Sequence, residues 1–525
     1  MLLHDMDFGR IQISTVPVPD GLDKNLNGTY TPSGRVLVAV REEEKGKDWY
    51  RVFTMSEEGT QVCELYSGEI PQQAGANGIR WMCFSDNRRI LLGDYVLECQ
   101  PDLDHCAASS LIDVVFPKEI SEIPGLFVRW SEPLIAPDNE HICFSSLTGN
   151  GAFNFLGKLV RKETQYEIED LCIISTVEAL RPDPLHKGYY VENVHRGGEV
   201  KQFIRGGRGL TLAGSGRCIT ESTLQMLDSE ETHQITETLG YEETAILSPN
   251  EKYAICMSPR FSPATDCGIL GVVPLYKDII TRRKYLNVLY NYAISGVRKY
   301  RSGSIGPALI RMDRSLREGR NYQGIDLSDP EKKWVYVSPM SWNPESTKAM
   351  WNESTRSADG PVKCRLRICH LLDAAPSEGL QITETPDRER IPYALPVSAA
   401  LEKRPVPCPV RMLGESGTVE NRILSEKETE TYYDHYSEDG KTYYDGWIRV
   451  KAPQNMFLPE ETVIWSKLKI TGEHQGEMDL RLTFQPGKAR GEVYLARGKD
   501  EHNLPQSYGY AVYDGLRRTV EEMSD

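Results

Sequence analysis

Leu247-Ser-Pro-Asn-Glu-Lys-Tyr-Ala-Ile-Cys-Met257 is a turn followed by a strand. Proline sets φ at the first corner, asparagine tolerates the next, and the apolar run from Tyr253 to Met257 is the length and composition of a buried strand. The same pattern recurs along the chain. Tyr30-Thr-Pro-Ser-Gly-Arg35 precedes Val36-Leu-Val-Ala-Val40, Phe84-Ser-Asp-Asn-Arg-Arg89 precedes Ile90-Leu-Leu92, and Ile135-Ala-Pro-Asp-Asn-Glu140 precedes His141-Ile-Cys-Phe144. Further copies are Leu212-Ala-Gly-Ser-Gly-Arg217 before Cys218-Ile-Thr220, Trp342-Asn-Pro-Glu-Ser-Thr347 before Lys348-Ala-Met-Trp351, and Tyr436-Ser-Glu-Asp-Gly-Lys441 before Thr442-Tyr-Tyr444.

Each copy marks the first hairpin of a sheet, so the anchors near residues 31, 85, 136, 213, 248, 343 and 437 predict an all-β chain. Set against a blade period of roughly 40–50 residues, the expectation is one β-propeller of seven blades over residues 1–525, several of them carrying insertions. Radial sheets also explain how so many short strands protect their edges. An array of two-sheet sandwiches is the alternative. The Ser248-Pro-Asn-Glu-Lys252 and Thr31-Pro-Ser-Gly-Arg35 turns resemble those of TolB-type, WD-repeat-like propellers. That resemblance spans about residues 20–450, implies the fold, and says almost nothing about function. The anchors at 85, 213 and 437 depart from it by lacking the proline.

Two regions break the repeat. Within 268–333, Leu275 to Tyr292 has apolar residues at three- and four-residue steps, which predicts a helical insertion projecting from the fifth blade, over one mouth of the channel or against the outer wall. The Pro-rich stretch 371–430 is expected to be a long surface connection. Strand-like runs in 455–525 predict either last-blade strands or a small β subdomain, and a strand around Ile11-Gln-Ile-Ser-Thr15 is expected to close the ring.

A net charge of −15 and a pI near 5.3 oppose phosphate backbones and anionic lipid, so neither nucleic acid nor membrane is an expected partner. No apolar run reaches the length of a membrane span, and the first residues do not read as a secretory signal. The 12 cysteines form no Cys-x-x-Cys pair and sit mostly in apolar runs, which predicts a reducing, cytoplasmic setting.

Polar and aromatic residues a few positions upstream of each turn are expected near one channel mouth. They are Asn27, Arg80, Trp81, Arg129, Trp130, Glu132, Arg205, Arg208, Glu242, Glu243, Ser338, Tyr432, Tyr433, Asp434 and His435. This inventory suits a pocket for a small polar or aromatic molecule. In Tyr432-Tyr-Asp-His-Tyr436, strand alternation would put Tyr433 and His435 together on one face, where they could share acid/base work. His195, followed by Arg196 and two glycines, is a second candidate base beside a guanidinium able to hold a carboxylate. The sequence therefore supports a lyase or hydrolase with His195, His435 and Tyr433 as catalytic residues and Arg80, Trp81, Arg129, Trp130, Glu243, Asp434 and Arg196 as substrate contacts. A non-catalytic propeller that binds a ligand or a protein is the other reading. No motif requires a cofactor and none binds metal, although a divalent site assembled from separate blades stays open. Nucleophile-elbow and P-loop signatures are missing.

Overall fold

The computed structural model describes residues 1–523 except 20, 23, 73–78, 149–150, 215–219, 262–267, 276–283, 286–287, 289–291, 293–304, 332, 356–359, 403–408, 454–459 and 488–492. Its architecture follows from the turn repeated in the sequence. At the anchors near 31, 85, 136, 248 and 343, the anchor residue accepts a hydrogen bond from the amide three positions on and donates its own amide across the hairpin. Gly34, Asn87, Asn139, Glu251 and Ser346 each take positive φ at that third position. A residue in this conformation after a tight turn matches the hairpin to the right-handed twist of its strands.

Each of these turns joins the first two strands of an antiparallel blade; the second and third blades are further joined by a short parallel pairing of Val114 and Val115 with Tyr166 and Glu167. The first sheet runs Leu26–Tyr30, Val36–Arg41, Trp49–Met55 and Cys63–Glu69. The second runs Trp81–Cys83, Arg89–Leu92, Tyr95–Gln100 and Ala108–Val115, and the third Leu126–Ile135, His141–Thr148, Gly151–Arg161 and Tyr166–Ile173. The fourth holds Glu199–Ile204, Gly209–Ala213, Ser222–Met226 and Thr232–Gln234, and the fifth Thr244–Leu247, Tyr253–Ser258, Gly306–Arg311 and Ile325–Asp326. The sixth takes Trp334–Trp342, Lys348–Thr355 and Cys364–Leu371, then borrows Gly9–Val16 and Leu2–Asp5 from the N-terminus. The strand expected around residues 11–15 is thus the fourth strand of the last blade, with Ile13 opposite Cys369 and Leu2–Asp5 at the outer edge.

Ring closure is visible in the packing. Leu37 and Val52 meet Ile90 and Leu97 between the first and second sheets. Phe84 and Val114 meet Phe144 and Phe155 between the second and third. Cys143 and Leu156 meet Val200 and Leu212, Leu224 meets Ala254 and Ile310, and Met257 and Leu309 meet Tyr336 and Trp351. Finally, Met350 and Leu366 meet Val38 and Phe53, returning to the first sheet. At that last seam the Asn352 amide accepts from Gly28 N–H at 2.8 Å and donates to its carbonyl at 3.0 Å. The Gly28 backbone approaches so closely that a Cβ there would lie 2.7 Å from Leu366 Cδ1.

The expected count of seven blades becomes six among the described residues. The turn after Tyr436 opens a hairpin in a separate sheet: Val410–Leu413, Ser416–Ile423, Glu428–Ser437, Thr442–Lys451, Thr462–Gly472, Gly476–Pro486, Tyr508–Tyr513 and Leu516–Thr519, with Val493–Leu495 at its margin. The anchor at 213 is also displaced. Arg205-Gly-Gly-Arg208 makes the first turn of the fourth blade, and the segment after Ala213 joins its second and third strands.

Residues between Tyr253–Ser258 and Gly306–Arg311 leave the fifth blade, so the excursion is 259–305 and the later part of 268–333 returns to the sheet. Much of its helical pattern lies outside the described residues, but 284, 285 and 288 are helical, and Gly268–Gly271 is a short helix. Ile269, Leu270, Val273, Tyr285, Val288 and Tyr292 form one core with Val419, Ile448, Leu468, Leu480 and Phe484 of the C-terminal sheet. The Tyr444 hydroxyl donates to Pro274 O at 2.9 Å. The sheet wraps apolar surface that the fifth blade exports.

Of the long connection expected over 371–430, residues 372–394 form an extended strap, whereas Val410–Leu413, Ser416–Ile423 and the start of Glu428–Ser437 are strands of the C-terminal sheet. Ser377 N–H donates to Glu345 O, Leu380 N–H to Pro249 O, and Thr383 N–H to Gly206 O. Thr385 N–H then reaches Asp138 Oδ2 at 2.9 Å. The strap crosses the first turns of the sixth, fifth, fourth and third blades in that order, then adds Leu395–Pro396 to the third sheet.

Candidate functional site

The innermost strands begin at the end of the ring opposite those turns. Arg80 immediately precedes the inner strand of the second blade, Ser131 and Glu132 lie in that of the third, Glu199 and Lys201 in that of the fourth, and Glu243 just before that of the fifth. Arg80 Nε lies 3.4 Å from Glu132 Oε1. Lys201 Nζ is 3.7 Å from Glu132 Oε1, 3.1 Å from Glu199 Oε2 and 3.6 Å from Glu243 Oε1. Ser131 Oγ donates to Glu199 Oε1 at 2.9 Å. Three carboxylates and two cations from four consecutive blades therefore meet at the channel.

Local backbone irregularity positions two of them. The third blade's inner strand shifts register between Val128 and Leu134, with Glu132 at φ +47, and the fourth blade's shifts between Val200 and Gln202. Bulges of this kind re-aim side chains, and a glutamate at positive φ costs of order 1–3 kcal/mol that the surroundings must offset.

The charges set one another. Burial alone would push Glu132 up, but Lys201 and Arg80 outweigh it and hold the carboxyl below its ordinary range. Burial would likewise lower Lys201, yet Glu132, Glu199 and Glu243 together raise it. Arg80 is raised chiefly by Glu132, against the opposing effect of burial. One polar atom is left over: Glu243 Oε2 is buried and has no hydrogen-bond partner.

The other nominated residues lie elsewhere. Arg129 is an interblade brace, with Nη2 2.5 Å from Asp94 Oδ1 and its guanidinium 4.3 Å from the Phe116 ring centre. Arg80 and Arg129, both expected to contact substrate, are thus already held by carboxylates. Trp130 is buried against Phe116 and Phe144, and Trp81 is half-buried at the seam of the first two blades. Glu242, next to Glu243 but on the opposite face, is buried and gripped bidentately by Arg260. Arg205 and Arg208 lie in the fourth blade's turn, paired with Glu251 and Asp228. Asn27 is half-buried and Ser338 exposed on the inner strands of the first and sixth blades.

Tyr432, Tyr433, Asp434 and His435 belong to the C-terminal sheet, remote along the fold from the channel strands. Simple alternation fails there. His435 sits in a bulge at φ +47, so Tyr433 and Tyr436 both turn inward, 6.2 Å apart, while His435 faces out. The facing Gly417 is required, because a Cβ would lie 2.2 Å from the Asp434 and His435 carbonyl oxygens. His435 stacks on Tyr443 and lies 3.3 Å from Asp445 Oδ2. Tyr433 is buried in the sheet core, and Asp434 is exposed.

His195 and Arg196 lie in the connection from the third to the fourth blade, beside a cavity of about 220 Å³. They share it with His233 and Gln234 and are brought to neither the channel cluster nor His435. The residues that sequence reasoning missed are Glu199 and Lys201. Both lie just upstream of Arg205-Gly-Gly-Arg208, and recognising that diglycine as the fourth blade's first turn would have found them.

Among the described residues, no group of three or more His, Cys, Asp and Glu is arranged to hold a metal ion, and no helix is long and apolar enough to cross a membrane. No protein-family model and no curated protein matches the chain. Among solved structures, it is similar to TolB from Acinetobacter baumannii at 10% identity, over 69% of this chain and 66% of that one, with a TM-score of 0.27. It is similar to a 6-phosphogluconolactonase-like protein of Bacteroides uniformis at 12% identity over 69% and 89%, TM-score 0.28. It is also similar to Hsv2 of Kluyveromyces lactis at 9% identity over 65% and 97%, TM-score 0.25. Values this low leave the architecture resting on strand order and packing.

Proposed function

We propose that this chain is a ligand-binding propeller whose channel takes a small molecule carrying a primary amine. The observation that supports this reading is the unpartnered, buried Glu243 Oε2 in a cluster where three carboxylates face two cations. A buried carboxylate oxygen without a donor is costly, and an ammonium supplies both the donor and the missing positive charge. Binding is favoured over lyase or hydrolase chemistry because His195 and His435, the groups nominated as acid and base, sit away from these charges. The acidic surface, net −15, disfavours nucleic acid and anionic membrane as partners. Unpaired buried thiols such as Cys99, Cys143 and Cys369 fit a reducing setting such as the cytoplasm.

Calorimetric titration of the full chain with putrescine and with ethanolamine tests the reading, using acetate as the control. Amine binding that weakens about tenfold or more in Glu243→Gln is expected, equivalent to about 1.4 kcal/mol. Absence of amine binding, or equal affinity in the variant, overturns it.

A further inference from the structure

The geometry points to a second ligand site, for a small hydroxycarboxylate, in the cavity between the His195–Gly197 connection and the outer strands of the fourth blade. Arg196 carries the argument. It is only 9% exposed, its guanidinium lies 4.0 Å from the Tyr393 ring centre, and Nη2 donates to Glu230 O at 3.1 Å. Among the described residues no carboxylate pairs with it, and its Nε is buried without a hydrogen-bond partner. Charges this deep are ordinarily matched by a counter-ion, and an unmatched one is strongly unfavourable. The guanidinium calls for an anion.

The cavity supplies the rest of the recognition. Thr223 pairs with Gln234 and Gln225 with Thr232 across adjacent antiparallel strands, so these four side chains form one polar patch on a single face. All four line the cavity, together with His195, Arg196, Gly197 and His233. The Gln225 amide is fixed in orientation, because its Nε2 donates to Ile174 O at 2.7 Å and to the Tyr393 hydroxyl at 3.0 Å. That leaves Gln225 Oε1 as a buried acceptor without a donor, while Gln234 Nε2 is a buried donor without an acceptor.

Two unmet donors, one of them on a cation, and one unmet acceptor define the ligand class. Carboxylate oxygens accept from Arg196 Nε–H and Gln234 Nε2–H, and a hydroxyl on the same molecule donates to Gln225 Oε1. No Asp or Glu side chain lines the cavity to oppose an anion. At about 30 Å³ per water, the 220 Å³ volume corresponds to about seven waters, room for a hydroxy acid the size of glycerate. None of these residues belongs to the channel cluster, so the two sites stand or fall separately.

The test is titration of the full chain with D-glycerate and glycolate, read by calorimetry and by ligand-induced thermal shift, with glycerol and the methyl ester of glycolate as uncharged controls. Glycerate should bind and glycerol should not. Gln234→Leu, which leaves the Arg196–Tyr393 stack in place, and Arg196→Lys, which keeps the charge but lacks Nε, should each weaken binding about tenfold or more. Putrescine binding in the same variants should be unchanged, which confirms that the channel is intact. Absence of glycerate binding, or variants that bind it like the parent, overturns the proposal.

Discussion

Glu132 combines three properties that seldom coincide in one side chain: positive φ, partial burial and contact with two cations. Its carboxyl is held below its ordinary value by Lys201 and Arg80 despite burial. A carboxyl lowered in the folded state stabilises the protein above the unfolded value of about 4.3, and that contribution fades as pH falls through the folded value. Glu132→Gln should therefore lower unfolding free energy by about 1–2 kcal/mol at pH 7, a modest figure because the side chain is partly solvated. In urea titrations, the gap between variant and parent should close below about pH 4. A gap that stays constant down to pH 3 would show that Glu132 acts through shape and not charge. At this scale the sequence was only half legible. Arg80, Glu132 and Glu243 were within view because they precede recognisable turns. Glu199 and Lys201 were not, since a glycine pair without proline gives weak turn chemistry.

The strap from 372 to 394 shows how an element without regular structure is held. Its most specific fastening is His141, buried beneath it. Nδ1 lies 2.8 Å from Asp138 Oδ2 of the third blade's turn, and Nε2 lies 3.2 Å from Asp387 Oδ1 of the strap, which also meets Lys158 at 2.8 Å. Burial would lower the imidazole's pKa, but Asp138 and Asp387 outweigh it and raise it. A group raised in the folded state stabilises fully below its unfolded value, about 6.5, and that stabilisation is lost as pH rises through the folded value. Hydrogen exchange at residues 380–394 should accelerate as pH rises above about 6.5, beyond the intrinsic base-catalysed rise, in the parent chain. In His141→Gln the protection should be lower at pH 6 and free of that added slope. Equal slopes in the two proteins would remove the imidazole from the fastening. The sequence showed this stretch as a polar connection, but nothing local encodes the turns that a connection will cross, because its partners on the fifth, fourth and third blades lie more than a hundred residues away.

For the molecule as a whole, turn chemistry identified sheets without identifying which sheets form the ring. Tyr436-Ser-Glu-Asp-Gly-Lys441 has the same composition as the blade turns, yet its strands run ten residues or more and pair in a continuous meander. Blade membership depends on what each sheet packs against, which a turn motif does not carry. Closure by Gly9–Val16 against Cys364–Leu371 makes a further outcome measurable. Removal of residues 1–16 would uncover the backbone edge of Cys364–Leu371 and the apolar contacts of Ile11 and Ile13. The shortened chain should self-associate on size-exclusion chromatography and lose several degrees of thermal stability. A monomer with unchanged melting would mean that the ring does not depend on this strand.

That same pairing sets a timetable during synthesis. Gly9–Val16 is made about 350 residues ahead of its blade partner Cys364–Leu371, and a ribosome adding about 5–20 residues per second takes on the order of 20–70 seconds to deliver that partner. Through this interval Gly9–Val16, with alternating apolar residues, has only its hairpin partner Leu2–Asp5 and no blade to join. The protein is thus an expected client of nascent-chain chaperones, with slow translation lengthening its exposure.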